Sequence, residues 1–268
     1  MSFKYELIYQ AAAQGDLSEL QKMHEAGCQW YTLTPEWAAR NGHLDCLRYA
    51  HQNGCEWNYK TLQAAAENGH IDCLRYAFEN GCKWDENEQD FDFETTEAAA
   101  KNGHLDCLRY AFENGCRWNQ KTAQSAAENG HLDCLKYAHQ NDCSMSDVTY
   151  FAAKGGHLNC LQFAHENGCE WDAETTSVAA EYGHLDCLKY AHENGCNWHK
   201  ETIDMAVEYD RIDCLRYAVK HGCSYSSYNK KVVNQIKKDI ETTKNAITNT
   251  LENQLNDNVI NHVINKYI

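Results

Sequence analysis

Apolar and polar positions follow one short pattern that recurs along the chain, and residues 95–118 show a full copy of it. In that copy, paired alanines precede Asn-Gly-His, then comes Leu-Asp-Cys-Leu-Arg-Tyr-Ala, and the copy ends in Gly-Cys-Arg-Trp. Apolar residues that return every three or four positions are typical of helices. Glycine ends helices because it adopts left-handed backbone conformations freely. Each copy is therefore predicted to be a helix, a tight turn and a second helix.

The pattern occurs eight times. The glycine of the tight turn falls at Gly15, Gly42, Gly69, Gly103, Gly130, Gly156 and Gly183, and Asp210 takes its place in the last copy. Most copies are 27 residues apart, with one step of 34 and one of 26. A fixed period of this size indicates a solenoid, in which each unit needs its neighbours to cover its apolar face. We therefore predict an all-α solenoid of eight helix-turn-helix repeats over residues 1–225.

The second copy carries a resemblance to a known family. Residues 34–44, Thr-Pro-Glu-Trp-Ala-Ala-Arg-Asn-Gly-His-Leu, resemble the ankyrin-repeat signature, and Asn53-Gly54-Cys55 replaces the Gly-Ala of that repeat. Thr34 is expected to cap the first helix, with Pro35 at its first helical position. The resemblance covers residues 1–225 and implies an ankyrin-type α-solenoid that binds other proteins.

The copies are shorter than the usual 33-residue ankyrin repeat, so the β-turn finger is expected to shrink to a short loop. This shortened form resembles the ankyrin proteins of giant DNA viruses that infect amoebae. That resemblance implies a viral protein that acts on a host or viral protein in the host cytoplasm.

Two places depart from the regular period. Residues 85–94 add an acidic insertion with six carboxylates and two phenylalanines, Phe91 and Phe93, and we expect it to project as a longer finger. One residue is lost around Ser144 to Val148, where we expect a local bend or register defect.

The C-terminal segment, residues 226–268, abandons the repeat. Its apolar residues recur at three to four positions, among them Val233, Ile236, Ile240 and Ile247, which predicts an amphipathic helix. Two interpretations remain open. The segment either caps the open apolar face of the last repeat, as solenoids require, or serves as a docking or dimerisation helix.

Net charge narrows the class of partner. The chain carries a net charge of −15, and residues 1–225 hold 35 acidic and 18 basic side chains. Such a field repels nucleic acid and anionic lipid and favours basic partners. No apolar run is long enough to span a membrane and no signal peptide is recognisable, so we expect no membrane association and no secretion.

Fifteen cysteines recur at two fixed positions of the repeat. Within one copy the two cysteines are nine residues apart along a helix and its end, which is too far for a disulfide. We expect free thiols that fill the core in a reducing cytoplasm.

The set His43, Cys46, His51 and Cys55 has a spacing that suggests a metal site, but Cys46 occupies a buried helix position and Cys55 follows the helix end. No metal and no cofactor is therefore predicted.

No catalytic motif is present, because a thiol–imidazole pair repeated in almost every copy indicates framework rather than an activated nucleophile. We expect a non-enzymatic protein-interaction scaffold with an acidic concave face that binds a basic segment. Two alternatives remain: a substrate adaptor whose C-terminal helices recruit a larger complex such as a ubiquitin ligase, or a self-assembling structural protein. The sequence leaves the oligomeric state open.

Binding residues are expected where the copies differ, chiefly on the first helices and in the insertion. The candidates are Glu36, Trp37, Gln63, Phe91, Phe93, Glu97, Gln124, Tyr150, Tyr182, Asp204 and Tyr209.

Overall fold

The computed structural model describes residues 3–84 and 94–252, with side chains from 8–84 and 94–248. Within those ranges all regular structure is helical, with seventeen α-helices and one 3₁₀ turn at Ser227–Asn229. Helices α1 to α17 span, in chain order, Phe3–Gln14, Leu17–Glu25, Leu33–Arg40, Leu44–Gln52, Tyr59–Glu67, Ile71–Glu79, Glu94–Lys101, Leu105–Glu113, Gln120–Glu128, Leu132–Gln140, Val148–Gly155, Leu158–Glu166, Glu174–Tyr182, Leu185–Glu193, Thr202–Glu208, Ile212–Lys220 and Lys230–Glu252. None of these helices combines the length and the hydropathy that a membrane span requires.

The helices form hairpins of a first and a second helix, as predicted, and the chain divides into two units, Met1–Phe151 and Ala152–Ile268. In the first unit, the first helices α1, α3, α5, α7 and α9 pack in succession, and so do the second helices α2, α4, α6, α8 and α10. In the second unit, α13 packs on α15, while α12, α14, α16 and α17 follow one another.

Small side chains allow the first helices to approach closely. The alanine pairs, such as Ala38 and Ala39, are completely buried. Each second helix from α4 to α16 buries a cysteine, a leucine and an alanine, for example Cys46, Leu47 and Ala50. Because most hairpins repeat these positions, the core of each unit is a row of similar layers.

The turn glycine has a second role that the sequence did not indicate. Gly42 has a φ of 75°, as predicted for a left-handed helix end. In addition, the imidazole of His70 in the next repeat lies against it, and a Cβ added to Gly42 would lie 2.6 Å from Nδ1 of His70. The same contact joins Gly15 to His43, Gly69 to His104, Gly103 to His131 and Gly156 to His184. The Gly-His pair is therefore a contact between repeats.

The observed start of α3 differs from the predicted one. Thr34 does not cap a helix, because α3 begins at Leu33 and Thr34 lies inside it, fully buried and with no hydrogen-bond partner for Oγ1. Pro35 is accordingly the third helical residue. Capping side chains are found instead at Asn58 and Asn119, which accept hydrogen bonds from the backbone N–H groups of α5 and α9 two residues later.

The shortened step between the fifth and sixth copies is accommodated by two aspartates. Asp142 replaces the second glycine with a φ of 62°, and Asp147 has a φ of 59° directly before α11 begins. Aspartate is one of the few side chains that tolerate this region. The expected irregularity is thus a tight loop over residues 144–147.

The C-terminal segment forms helix α17, which packs on α16. Val233 is fully buried and Ile236 is 9% exposed, whereas residues 241–246 are exposed. The carboxylate of Asp204 holds the start of this helix, because Oδ1 accepts hydrogen bonds from Ser226 Oγ at 3.0 Å and from Asn229 Nδ2 at 2.7 Å. Residues 253–268 lie outside the described ranges.

Candidate protein-binding surface

Polar side chains of successive first helices reach one another in the first unit. Arg40 lies between two carboxylates, with Nη2 3.8 Å from Glu36 Oε1 and Nη1 3.2 Å from Glu67 Oε2. Farther along, Ser125 donates a hydrogen bond to Glu97 Oε1 at 3.3 Å. We call this row, Glu36, Arg40, Glu67, Glu97 and Ser125, the first-helix face. Partly exposed ion pairs of this kind contribute little to folding, so these residues remain available for recognition.

Trp37 lies at the edge of the first-helix face and is partly buried. Its ring stacks on Tyr9 of the preceding repeat, with centroids 6.4 Å apart, and the guanidinium of Arg40 lies 5.6 Å from its centroid. Trp37 therefore has a packing role in addition to any role in binding.

The two glutamine candidates, Gln63 and Gln124, differ in their exposure to solvent. Gln63 is partly exposed, as a surface position requires. Gln124 is only 7% exposed, and its Nε2 donates a hydrogen bond to the carbonyl of Ser146 at 2.9 Å. Gln124 therefore takes part in the packing against the tight loop. Tyr150 is partly exposed and meets the ring of Phe151 edge-on.

Among the candidates that the structure describes, the two most exposed lie in the second unit. Tyr182 is 42% exposed and Tyr209 is 45% exposed, each at the C-terminal end of a first helix. Asp204, in contrast, uses its carboxylate to hold Ser226 and Asn229 at the start of α17. Asp204 therefore anchors the start of the C-terminal helix.

The insertion candidates Phe91 and Phe93 lie outside the described residues. Glu94, the last residue of the insertion, is the first residue of α7.

Rings from neighbouring repeats form a recurrent cluster at the ends of the second helices. His51 stacks on Trp57 at 3.8 Å, Tyr76 of the next repeat meets both rings edge-on, and His51 Nδ1 lies 3.1 Å from the Tyr76 hydroxyl. The guanidinium of Arg48 lies over the ring of Tyr76, 5.4 Å from its centroid. Burial lowers the pKa of His51 and raises the pKa of Tyr76.

In these clusters the tryptophan that follows the loop cysteine packs as an apolar anchor between repeats. Related clusters are centred on Trp30, Trp84, Trp118, Trp171 and Trp198. The indole N–H groups of Trp30 and Trp84 donate to backbone carbonyls of the following repeat, Asn53 and Asn114, at 2.9 Å. The tryptophans therefore join repeats to each other.

The cysteines lie in the core as expected, and thirteen of the fifteen are buried. The loop cysteines also form hydrogen bonds between repeats, since the thiol of Cys55 donates to the carbonyl of Tyr31 at 3.3 Å. Burial raises the pKa of Cys55 to about 12, so the thiol stays protonated at neutral pH and is a poor nucleophile. In the part of the chain that the structure describes, no three His, Cys, Asp or Glu side chains converge as metal ligands.

Comparisons with known proteins agree with this geometry. A family model described as ankyrin repeats (3 copies) matches residues 8–90, 35–122 and 96–175. The crystal structure of the human ASB11 ankyrin repeat domain is similar with a TM-score of 0.52 and 19% identity, over 61% of this chain and 84% of that chain. At this identity the likeness concerns the fold alone. No curated protein matches the chain.

Proposed function

The chain belongs to the ankyrin-repeat family, whose members are protein–protein interaction modules, and we propose that it is a non-enzymatic scaffold that binds a basic segment of a partner protein. The observation that carries this proposal is the first-helix face. Its residues differ from copy to copy, yet they connect across repeats, as the contact between Arg40 and Glu67 illustrates. The positions that do not differ are used for packing.

Charge supports a basic partner. The first-helix face contains three carboxylates, Glu36, Glu67 and Glu97, and one basic side chain, Arg40, and the repeats as a whole carry an excess of acidic groups. Carboxylates that are partly exposed attract lysine and arginine and repel phosphate. Direct binding to nucleic acid is therefore not part of the proposal.

Cysteine usage supports a cytoplasmic location. All fifteen cysteines are free thiols, and free thiols in such number persist in reducing compartments. The proposal that the protein comes from a virus and acts in a host cytoplasm rests on the shortened repeat alone.

Affinity capture with the full chain tests the proposal at about 0.15 M salt, where surface charges still act over several ångströms. One variant combines Glu36→Gln, Glu67→Gln and Glu97→Gln. The matched control combines Asp45→Asn, Asp72→Asn and Asp106→Asn, which removes the same charge from the exposed first turns of second helices. We expect the first variant to lose captured basic proteins and the control to keep them. Equal capture by both variants, or equal loss, would contradict a role for the first-helix face.

A substrate adaptor is the second candidate function, and the exposure of residues 241–246 in α17 favours it. Val233 and Ile236 fix the first turns of this helix, while residues 241–246 are exposed. A truncated chain that ends at Ile240 keeps the buried residues. If α17 recruits a second protein, the truncation abolishes the capture of that protein and leaves binding at the first-helix face intact. A scaffold without an adaptor role captures the same proteins as the full chain.

A further inference from the structure

Two tyrosines occupy a position that other repeats use for a helix-ending hydrogen bond. In four other copies this residue is asparagine, whose Nδ2 donates to the carbonyl four residues earlier at 2.9 Å. These asparagines are Asn41, Asn68, Asn102 and Asn129. Tyr182 and Tyr209 take this place in the seventh and eighth copies, and a phenol hydroxyl at the tip of a ring cannot replace the amide donor.

The tyrosines lack this hydrogen bond, and Tyr182 instead contacts Lys154 and stacks on His184 of its own repeat. Each forgoes a local hydrogen bond and leaves close to half of a large side chain in water, at 42% and 45% exposure. In the last copy the neighbouring residue, Asp210, also replaces the turn glycine and keeps its left-handed backbone, with a φ of 55°. Adjacent departures from a pattern that favours stability are typical of a functional site.

A direct contact places the two turns side by side. Arg211 replaces the histidine of the earlier copies and lies against Gly183, and its Nε donates to the carbonyl of Glu181 at 2.9 Å. Tyr182 lies between these two residues of the seventh copy, and Tyr209 lies two residues before Arg211. Both rings therefore belong to one edge of the second unit.

The chemistry of this edge favours a cation. The ammonium of Lys154 lies 5.9 Å from the centroid of Tyr182, so this ring already faces one cation of the same chain. Residues 181–186 and 208–213 together contain five carboxylates and one basic side chain, Arg211, and Lys154 adds a second positive charge beside Tyr182. Among these carboxylates, Glu208 and Asp210 are exposed and flank Tyr209.

We propose that Tyr182 and Tyr209, together with Glu208 and Asp210, form a tyrosine edge that binds lysine or arginine side chains of a partner protein. The rings supply cation–π contacts and the carboxylates supply ion pairs. This inference rests on the proposed scaffold function and adds a second contact region for the same class of partner.

Fluorescence anisotropy with a labelled peptide of repeated Arg-Gly tests the tyrosine edge in the full chain. The main variant, Tyr182→Asn with Tyr209→Asn, restores the residue of the other copies without changing charge. We expect it to weaken peptide binding about tenfold, which corresponds to the loss of two exposed cation–π contacts. Its thermal unfolding midpoint should match that of the unaltered chain, because the regained helix-ending hydrogen bonds offset the lost contacts of Tyr182 with Lys154 and His184.

Two controls separate binding from structure. Tyr182→Phe with Tyr209→Phe retains both rings and should bind within about twofold of the unaltered chain, because phenylalanine also offers a π face. Tyr228→Asn alters a tyrosine that is 92% exposed outside the tyrosine edge and should leave binding unchanged. Unchanged binding in the double asparagine variant, equal loss in the phenylalanine variant, or a lower unfolding midpoint for the asparagine variant would each overturn the proposal.

Failure here can be told apart from failure of the scaffold function. If the Glu36, Glu67 and Glu97 variant loses its captured proteins while the double asparagine variant still binds the peptide, the scaffold function stands and the tyrosine edge is wrong. If neither set of substitutions affects any binding, both proposals are wrong.

Discussion

Two separate features disfavour a side chain at Gly42. Its backbone is left-handed, and the ring of His70 occupies the space that a Cβ would need. Gly54 in the same repeat has a similar φ of 81°, but a Cβ there would meet nothing within 4 Å. A substitution at Gly54 therefore tests the left-handed backbone alone, whereas a substitution at Gly42 tests the backbone together with the contact to His70.

We expect Gly54→Ala to lower the free energy of unfolding by about 1 kcal/mol, the usual cost of placing alanine in the left-handed region. Gly42→Ala should cost about 2 kcal/mol more, because the new methyl group displaces the imidazole of His70. Urea unfolding followed by circular dichroism measures both. The double variant Gly42→Ala with His70→Ala should be less damaged than the sum of the single variants. Equal effects at Gly42 and Gly54 would show that the histidine contact is unimportant.

His104 makes the corresponding contact with Gly69 and is a source of pH dependence. Its pKa is lowered from the ordinary value of 6.5, mainly by burial, with smaller contributions from His131 and His70, against a hydrogen bond to the Glu67 backbone that raises it. Because the folded state has the lower pKa, the unfolded state binds more protons once the pH falls below about 6.5. Stability is therefore full above that pH and is lost as the pH falls toward the folded-state pKa.

We expect His104→Asn to be less stable than the unaltered chain at about pH 7.5 but to lose less stability on acidification to about pH 5. Thermal unfolding of both proteins at the two pH values measures the difference. Because both proteins carry the same carboxylates, carboxylate titration contributes equally to the two pH dependences and drops out of their difference. An identical pH dependence in the two proteins would exclude His104 as a contributor.

Residue roles within one repeat were predictable from the sequence, whereas roles between repeats were not. The left-handed glycines and the buried cysteines follow from local pattern and composition. The histidine that covers Gly42 comes from a residue 28 positions later, so spacing alone does not reveal it. Gln124 shows the same limit, since its burial depends on the loop that contains Ser146.

Among the elements, α17 allows a direct test of the capping interpretation. Val233 is completely buried, while its neighbour Val232 is 40% exposed. We expect Val233→Ala to destabilise the docking of α17 by about 2 kcal/mol, through lost burial and an unfilled space. Val232→Ala should change stability by less than about 0.5 kcal/mol. Hydrogen exchange of the α17 amides is the suitable measurement, because repeat proteins open locally. Equal exchange in both variants would argue against a cap.

Helix pairs and their order were predictable because each copy confirms the period of the others. Helix starts were less predictable. Thr34 resembles a capping residue in the sequence, but the cap position falls at Thr32, whose side chain makes no capping bond. The loop before α3 determines where the helix begins, and the residues that follow Trp30 in this loop differ from those in the other copies.

For the whole molecule, the fold class followed from the period, but most of the binding surface did not. The variation between copies points to the first helices as a group, and Tyr182 and Tyr209 are exposed there. Asp204 belongs to the same helices and yet anchors the C-terminal segment, because a residue that differs between copies can differ for a local structural reason.

Thiol reactivity provides a test of packing across all the described repeats. Cys28 and Cys169 are partly exposed, whereas the other thirteen cysteines are buried. Burial raises the pKa of Cys107, Cys134 and Cys187 to about 12, so little of the reactive thiolate forms near neutral pH.

We expect iodoacetamide at about pH 7.5 to modify Cys28 and Cys169 first in the native chain, because alkylation requires both access and thiolate. The buried cysteines should react only as fast as their repeats open, and all fifteen should react together once guanidinium unfolds the chain. Mass spectrometry of peptides from timed samples identifies each modified site. If Cys107 or Cys134 reacted as rapidly as Cys28 in the native chain, the cysteines of the second helices would not be buried in the core as the structure shows.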